Sequence, residues 1–228
     1  MRSLDEQVAL ALVEQGSRLA PLDQAVLLVA TLDGLSTAEA AALAVDRRDR
    51  LLLDARMTTF GRDIGFFARC PQCGEGNEAA FDLAMLPDAA PAEGVAVQVG
   101  SREIRLRAPS SAAIARAVLA ARTEGLLAEI AGDAVAIDDP DLARAVEELL
   151  PAAFPLLDIR FTLTCSGCET VFDTRFDIVP WLWREIEGVA AHAIDTVDRL
   201  ARAYGWTERE ILALSPARRR LYLAKLVS

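Results

Sequence analysis

Residues 68–83 read ARCPQCGEGNEAAFDL and hold two of the chain's four cysteines in the spacing C-x2-C. Alone, that spacing fits a redox dithiol, a disulfide or half of a metal site. The second pair, in FTLTCSGCETVFDTRFDI (161–178), decides between them, because the two stretches superimpose at a constant offset of 95 residues. Cys70 falls on Cys165, Cys73 on Cys168, Phe81 on Phe176, Asp82 on Asp177, and Leu83 on Ile178. Upstream, Asp63 falls on Asp158, Ile64 on Ile159 and Phe66 on Phe161, so the shared pattern is D-I-x-F-x3-C-x2-C-x7-F-D-[LI].

The pattern predicts two β-hairpins of one build. IGFFARC and IRFTLTC are the incoming strands, EAAFDL and DTRFDI the returning ones, and each C-x2-C sits at a tight turn supplied by Pro and Gly or by Ser and Gly. Two such knuckles facing each other set the sulfurs of Cys70, Cys73, Cys165 and Cys168 in a tetrahedron. That is the zinc-ribbon arrangement, with sulfur about 2.3 Å from the metal. All four positions come from protein, so the ion is structural and one Zn2+ per chain is expected. A redox dithiol, a disulfide or unliganded thiols are the alternatives, and iron in a rubredoxin-like site meets the same ligand set. The separation of 91 residues between Cys73 and Cys165 exceeds the roughly 15–20 usual in ribbons. The repeat accounts for it, since the intervening chain reads as an insertion between matched hairpins.

Outward from the knuckles the pattern is helical. LDEQVALALVEQGSRL places Val8, Leu12 and Leu19 on a helical spacing, and DQAVLLVATL reads as a second helix capped by Asp23. STAEAAALAVDRRDRLLLDARM opens with the capping-box pair Ser36 and Glu39 and is ended by Gly61. Between the knuckles, GVAVQVGSREIRLRAP alternates Val95, Val97, Val99, Ile104 and Leu106 about a turn at Gly100-Ser101. Ser110 caps a following helix, Pro140 lies near the first turn of another that Pro151 ends, and LPDAAPAEG (86–94) reads as an exposed linker. From Pro180, Leu182, Ile186, Val189, Ala193, Val197, Leu200 and Tyr204 recur at helical spacing, and two short helices follow, the second opened by Ser215-Pro216. The fold class is α+β: a helical region over 1–60, duplicated knuckles with their insertion over 61–178, and a helical region over 179–228.

With 34 acidic against 24 basic residues, the net charge is −10, which repels phosphate backbones. No apolar run is long enough to span a bilayer, and the acidic N-terminus lacks the form of a signal peptide, so the chain reads as soluble and intracellular with reduced thiols. One histidine, His192, falls off the apolar helical stripe, and the sequence holds no nucleophile elbow, P-loop or dinucleotide fingerprint. A non-enzyme is expected. Trp181, Trp183 and Trp206 crowd the last quarter, and core packing accounts for two of them. Aromatic and Arg side chains also anchor interfaces, which makes Trp183, Tyr204, Trp206 and the run Arg218, Arg219, Arg220 the candidate partner-binding residues. A solvated face is the plainer reading of that basic run.

The C-terminal segment WREIEGVAAHAIDTVDRLARAYGWTEREILALSPARRRLYL carries Trp183 to Ile186, Tyr204, Trp206, Glu210, Ile211, Arg219, Arg220 and Tyr222. With the upstream LLLDARMTTFGRDIGFFARCPQCGE, it resembles the baseplate hub assembly chaperone-like family of T-even-type contractile phages and extracellular contractile injection systems. The resemblance runs from about residue 50 to the end. It implies a non-enzymatic assembly factor or minor hub component whose partners are other baseplate, hub or spike proteins. It would be present in the bacterial cytoplasm during assembly and could be retained in the tail or injection particle. A zinc-ribbon adaptor in transcription or nucleic-acid handling is the alternative; the net charge and the lack of a Lys/Arg cluster in either knuckle loop speak against it.

Overall fold

A computed structural model describes residues 4–226 except 101, 122–123 and 133–139. Helices α1 (Glu6–Gly16), α2 (Pro21–Asp33), α3 (Thr37–Ala42) and α4 (Val45–Phe60) lead into a hairpin of β1 (Asp63–Arg69) and β2 (Gly76–Asp82). A second hairpin, β3 (Val95–Val99) and β4 (Arg102–Leu106), is followed by α5 (Ser111–Ala120), α6 (Glu124–Ala131) and α7 (Pro140–Ala153). The third hairpin, β5 (Ile159–Thr164) and β6 (Val171–Phe176), runs into α8 (Ile178–Tyr204), α9 (Glu208–Ala213) and α10 (Pro216–Ala224). The architecture is thus a mixture of helices and small antiparallel hairpins, each sheet having two strands.

The first and third hairpins share one register. Ile64 faces Phe81 and Phe66 faces Ala79 in the first; Ile159 faces Phe176 and Phe161 faces Thr174 in the third, each 95 residues on. The conserved spacing between the repeats has a physical role at each position. Ile64 and Ile159 are buried. Phe161 stacks on Phe66 with centroids 5.1 Å apart and meets Phe81 at 4.4 Å and Phe176 at 5.5 Å, so the four repeat phenylalanines form one aromatic cluster. Asp82 and Asp177 each accept from the amide two residues on, at 2.9 Å, capping the 3-10 turn at Leu83–Met85 and helix α8. Leu83 and Ile178, the first residues of those turns, are fully buried.

The main core lies between α1, α2, α4, α8 and the bases of the two knuckle hairpins. The helical regions expected as two flanks therefore pack on each other, with α8 against α1 and α4. Buried Arg56 ties this junction: it donates to the carbonyls of Gly61 (2.6 Å) and Asp63 (2.9 Å) and pairs with Glu185 on α8 at 2.8 Å. The insertion builds a separate small core from Ile104, Leu106, Ile130, Val146 and Phe154.

Several local expectations shift. The helix from Ser36 breaks at Leu43–Ala44, where Ala44 bridges Ser110 and the Val45 amide donates to the Pro109 carbonyl at 2.9 Å. The Ser36–Glu39 capping box and the stop at Gly61, with φ 93, are as expected. Helix α2 starts at Pro21 with Ala20 as cap, so Asp23 lies inside the first turn rather than capping it. Pro151 lies within α7, and Leu19 lies beyond α1. The linker is exposed at 87–88 and 91–93 as expected, and it is anchored at Ala90, whose amide donates to Asp46 at 2.9 Å. Ser101 of the expected Gly100-Ser101 turn falls outside the described residues. No described helix is long and apolar enough to cross a membrane.

Candidate metal centre

Each knuckle is built by the same backbone bonds. The Cys70 amide donates to the Glu75 carbonyl (2.8 Å) and the Gly74 amide to the Cys70 carbonyl (2.9 Å). In the twin, the Cys165 amide donates to the Thr170 carbonyl (2.9 Å) and the Glu169 amide to the Cys165 carbonyl (3.0 Å). Gly74 and Glu169 are equivalent positions, and both take positive φ, 77° and 59°. The turn demands a left-handed residue there; the first knuckle meets the demand with glycine and the second with a glutamate. Inside each turn an amide points at the leading sulfur, Gln72 at Cys70 and Gly167 at Cys165, both at 3.4 Å.

The knuckles face each other, and the four sulfurs lie within 4.8 Å of one another. Cys70 Sγ is 3.7 Å from Cys168 Sγ, and Cys73 Sγ is 3.6 Å from Cys165 Sγ. A tetrahedron with 2.3 Å metal–sulfur arms has edges of about 3.8 Å, so the cage already has the size a metal ion requires. Both distances are far beyond a disulfide bond of about 2.05 Å. Cys70 and Cys165 are buried against Ala68, Leu163 and Phe172, while Cys73 and Cys168 stand at the surface.

The sulfurs divide their protons unevenly. Burial works against ionising Cys165, but the amides of Cys168 and Gly167 and the neighbouring sulfurs outweigh it and hold that thiol down at about 6. Hydrogen bonds with the Thr170 side chain and backbone lower Cys168. At Cys73 a bond from the Glu75 backbone favours the thiolate, yet the sulfurs of Cys168 and Cys165 prevail and push the thiol up to about 12. A divalent ion at the centre would let all four sulfurs ionise. The donor set and its geometry fit one metal ion.

Asn77 is a site residue that sequence reasoning missed. It is buried between the knuckles; its Oδ1 accepts from the Ser166 amide (2.9 Å) and hydroxyl (3.2 Å), and its Nδ2 donates to the Glu75 carbonyl at 3.0 Å. The only signal was a departure from the repeat, since its counterpart is Phe172.

The partner-binding candidates are scattered. Trp183 is buried at the start of α8, donating from Nε1 to Glu187 at 2.8 Å. Tyr204 lies 21 residues on, about 30 Å along the helix. There it stacks on Trp206 at 4.8 Å, and Tyr222 packs edge-on to Trp206, also at 4.8 Å. These three half-buried rings fasten α10 to the end of α8. Arg218 and Arg220 are exposed, but Arg219 is buried and paired with Glu6 of α1. The expected basic docking run is thereby corrected to two exposed cations flanking an internal tie, because α10 turns its middle arginine inward. His192 is exposed on α8. No protein-family model, curated protein or solved structure matches the chain.

Proposed function

We propose that this chain is a non-enzymatic protein whose zinc-ribbon-like knuckles are stapled by one structural Zn2+ and which acts through contacts with other proteins. The observation that carries this reading is the four-cysteine cage itself. Its size suits Zn–S bonds, and every ligand position is filled by the chain, which leaves no open position for a substrate or an activated water. Zinc has no redox chemistry and favours tetrahedral thiolates, which suits a clamp joining segments 95 residues apart.

The setting proposed is the baseplate of a contractile tail or injection system, with the chain a hub component or assembly factor. The run from Trp183 to Tyr222 and the segment leading into the first knuckle support it. The knuckle loops Pro71-Gln72 and Ser166-Gly167 carry no basic residue, and the net charge is −10, which disfavours the nucleic-acid adaptor. Co-expression with the tube, sheath, hub and spike proteins of one such system tests the setting. Co-purification with a hub or spike protein is expected, and a chain that co-purifies with none of them would sink the baseplate assignment.

A further inference from the structure

The duplicated hairpins provide an internal control, because what one knuckle needs in order to fold, its twin needs as well. Phe67 fails that comparison. Its counterpart is Thr162, which bonds Asp173 across its own hairpin at 2.8 Å. Phe67 instead leaves 57% of its surface exposed. Its ring lies over Gly76, where any Cβ would collide with it, and the Arg69 guanidinium stacks on it 5.4 Å from the centroid. The counterparts of Gly76 and Arg69 are Val171 and Thr164. A glycine that makes room for an exposed ring, and a cation that braces it, are therefore not requirements of the knuckle. An exposed aromatic already held in one orientation loses little entropy on binding and is the usual form of an interface anchor.

Two hollows meet at this ring. One, of about 590 Å³, lies over β1 and β2 beside Phe66, Ala79 and Ala80. The other, of about 260 Å³, runs from Phe67 past Phe161 and Phe176 to Trp181. At its far end Arg184 stacks over the Trp181 ring at 5.3 Å. The groove thus has an aromatic ring under a guanidinium at each end. Neither Arg69 nor Arg184 has a carboxylate partner among the described residues; each donates only to a backbone carbonyl, of Gly74 and Pro180. Arg175 on the wall is shared with Asp158, and Asp177 is engaged in capping α8. Glu78 is the remaining acid on the lining. In a chain of net charge −10, this is a trough of mixed lining, with aromatic rings along it and unneutralised cations at both ends.

We propose that this groove docks an extended acidic segment of a partner protein. A large apolar side chain of the segment seats between Phe67 and Trp181, and a carboxylate beside it reaches Arg184 or Arg69. The inference is independent of the baseplate setting. Stacked nucleic-acid bases would use the same rings, but a strand carries a phosphate at every nucleotide and the groove offers only the two unneutralised guanidiniums of Arg69 and Arg184 to meet them.

Selection of a displayed random-peptide library on the full-length, metal-loaded chain tests this, with counter-selection on Phe67→Thr. Fluorescence anisotropy then measures the recovered peptides and a labelled oligothymidylate, and sedimentation measures the chain alone. Recovered sequences should place Asp or Glu close to Leu, Phe or Trp, and Phe67→Thr should weaken their binding by about tenfold or more. Arg184→Glu should shift the preference toward lysine-bearing peptides. Phe67→Thr should keep its metal content and circular dichroism, since threonine is the twin's residue at that position. The proposal is overturned if no sequence is enriched over the threonine variant, or if the enriched sequences are basic. Oligothymidylate binding that depends on Phe67, or dimerisation through Phe67 that excludes the peptides, would equally overturn it.

Discussion

At the scale of single residues, the two knuckles are most informative where they differ. Glu169 holds the left-handed backbone that Gly74 supplies in the first knuckle, with φ 59 and 77. A non-glycine residue there costs about 1–2 kcal/mol, against about 0.5–1 kcal/mol of extra chain entropy lost by glycine on folding. Glu169→Gly should therefore stabilise the metal-bound protein by about 0.5–1 kcal/mol, read as a raised urea midpoint. Gly74→Ala should lower that midpoint. Asn77 bonds both knuckle turns, and its replacement by Ala should weaken metal affinity about 10–100-fold in a chelator competition. An unchanged affinity would mean the knuckles align without it. Asp49 gives a pH test. Burial raises its carboxyl to about 6, against the opposing pull of Arg48, with Asp177 and Asp46 adding to the rise. The folded state thus holds a proton that the unfolded chain releases near 3.8. Stability from this group is complete below 3.8 and falls as pH rises through 6. Asp49→Asn should flatten that decline between these limits, read as the difference in urea midpoints from the parent.

At the scale of elements, the hairpins and their sulfurs were legible because a repeat carries more information than a motif. Cys70 and Cys73 alone allow several chemistries; the match of Phe66, Phe81 and Asp82 at the same offset makes them half of a larger unit. The register and the capping role of Asp82 and Asp177 then follow from one pattern. What stayed hidden was set by long-range contacts. The break at Leu43–Ala44 comes from a bridge to Ser110, and no local signal in an alanine-rich run announces it. Trp183 looked like an anchor for partners, but its ring closes over Gly16 of α1, leaving no space for a Cβ. That contact fixes the approach of α1 to α8. Gly16→Ala gains about 1 kcal/mol of helix propensity but should lose about 1–3 kcal/mol to overpacking. A net fall in thermal midpoint is expected; a rise would show that the two helices have slack.

At the scale of the whole molecule, the cage and buried arginine ties hold distant parts of the chain together. The cage joins segments on either side of an insertion with its own small core, and Arg219 on α10 holds Glu6 on α1. The inward turn of Arg219 was invisible in a run of three arginines, which reads identically whether one of them is buried or none. Because the cage closes on four ligands from two hairpins, it should behave as a single site. Cys70→Ser and Cys165→Ser should lose metal and solubility to the same degree, and unequal losses would mean two independent motifs. Loss of metal should loosen the knuckles and the phenylalanine cluster beneath them, while α1, α2, α4 and α8 keep a core that contains no cysteine. The most direct measurement combines elemental analysis of the purified chain with thiol titration before and after chelation. The proposed zinc clamp predicts about one zinc per chain and four thiols that become reactive together when it is removed. A folded, metal-free protein whose four thiols react freely from the start would contradict it.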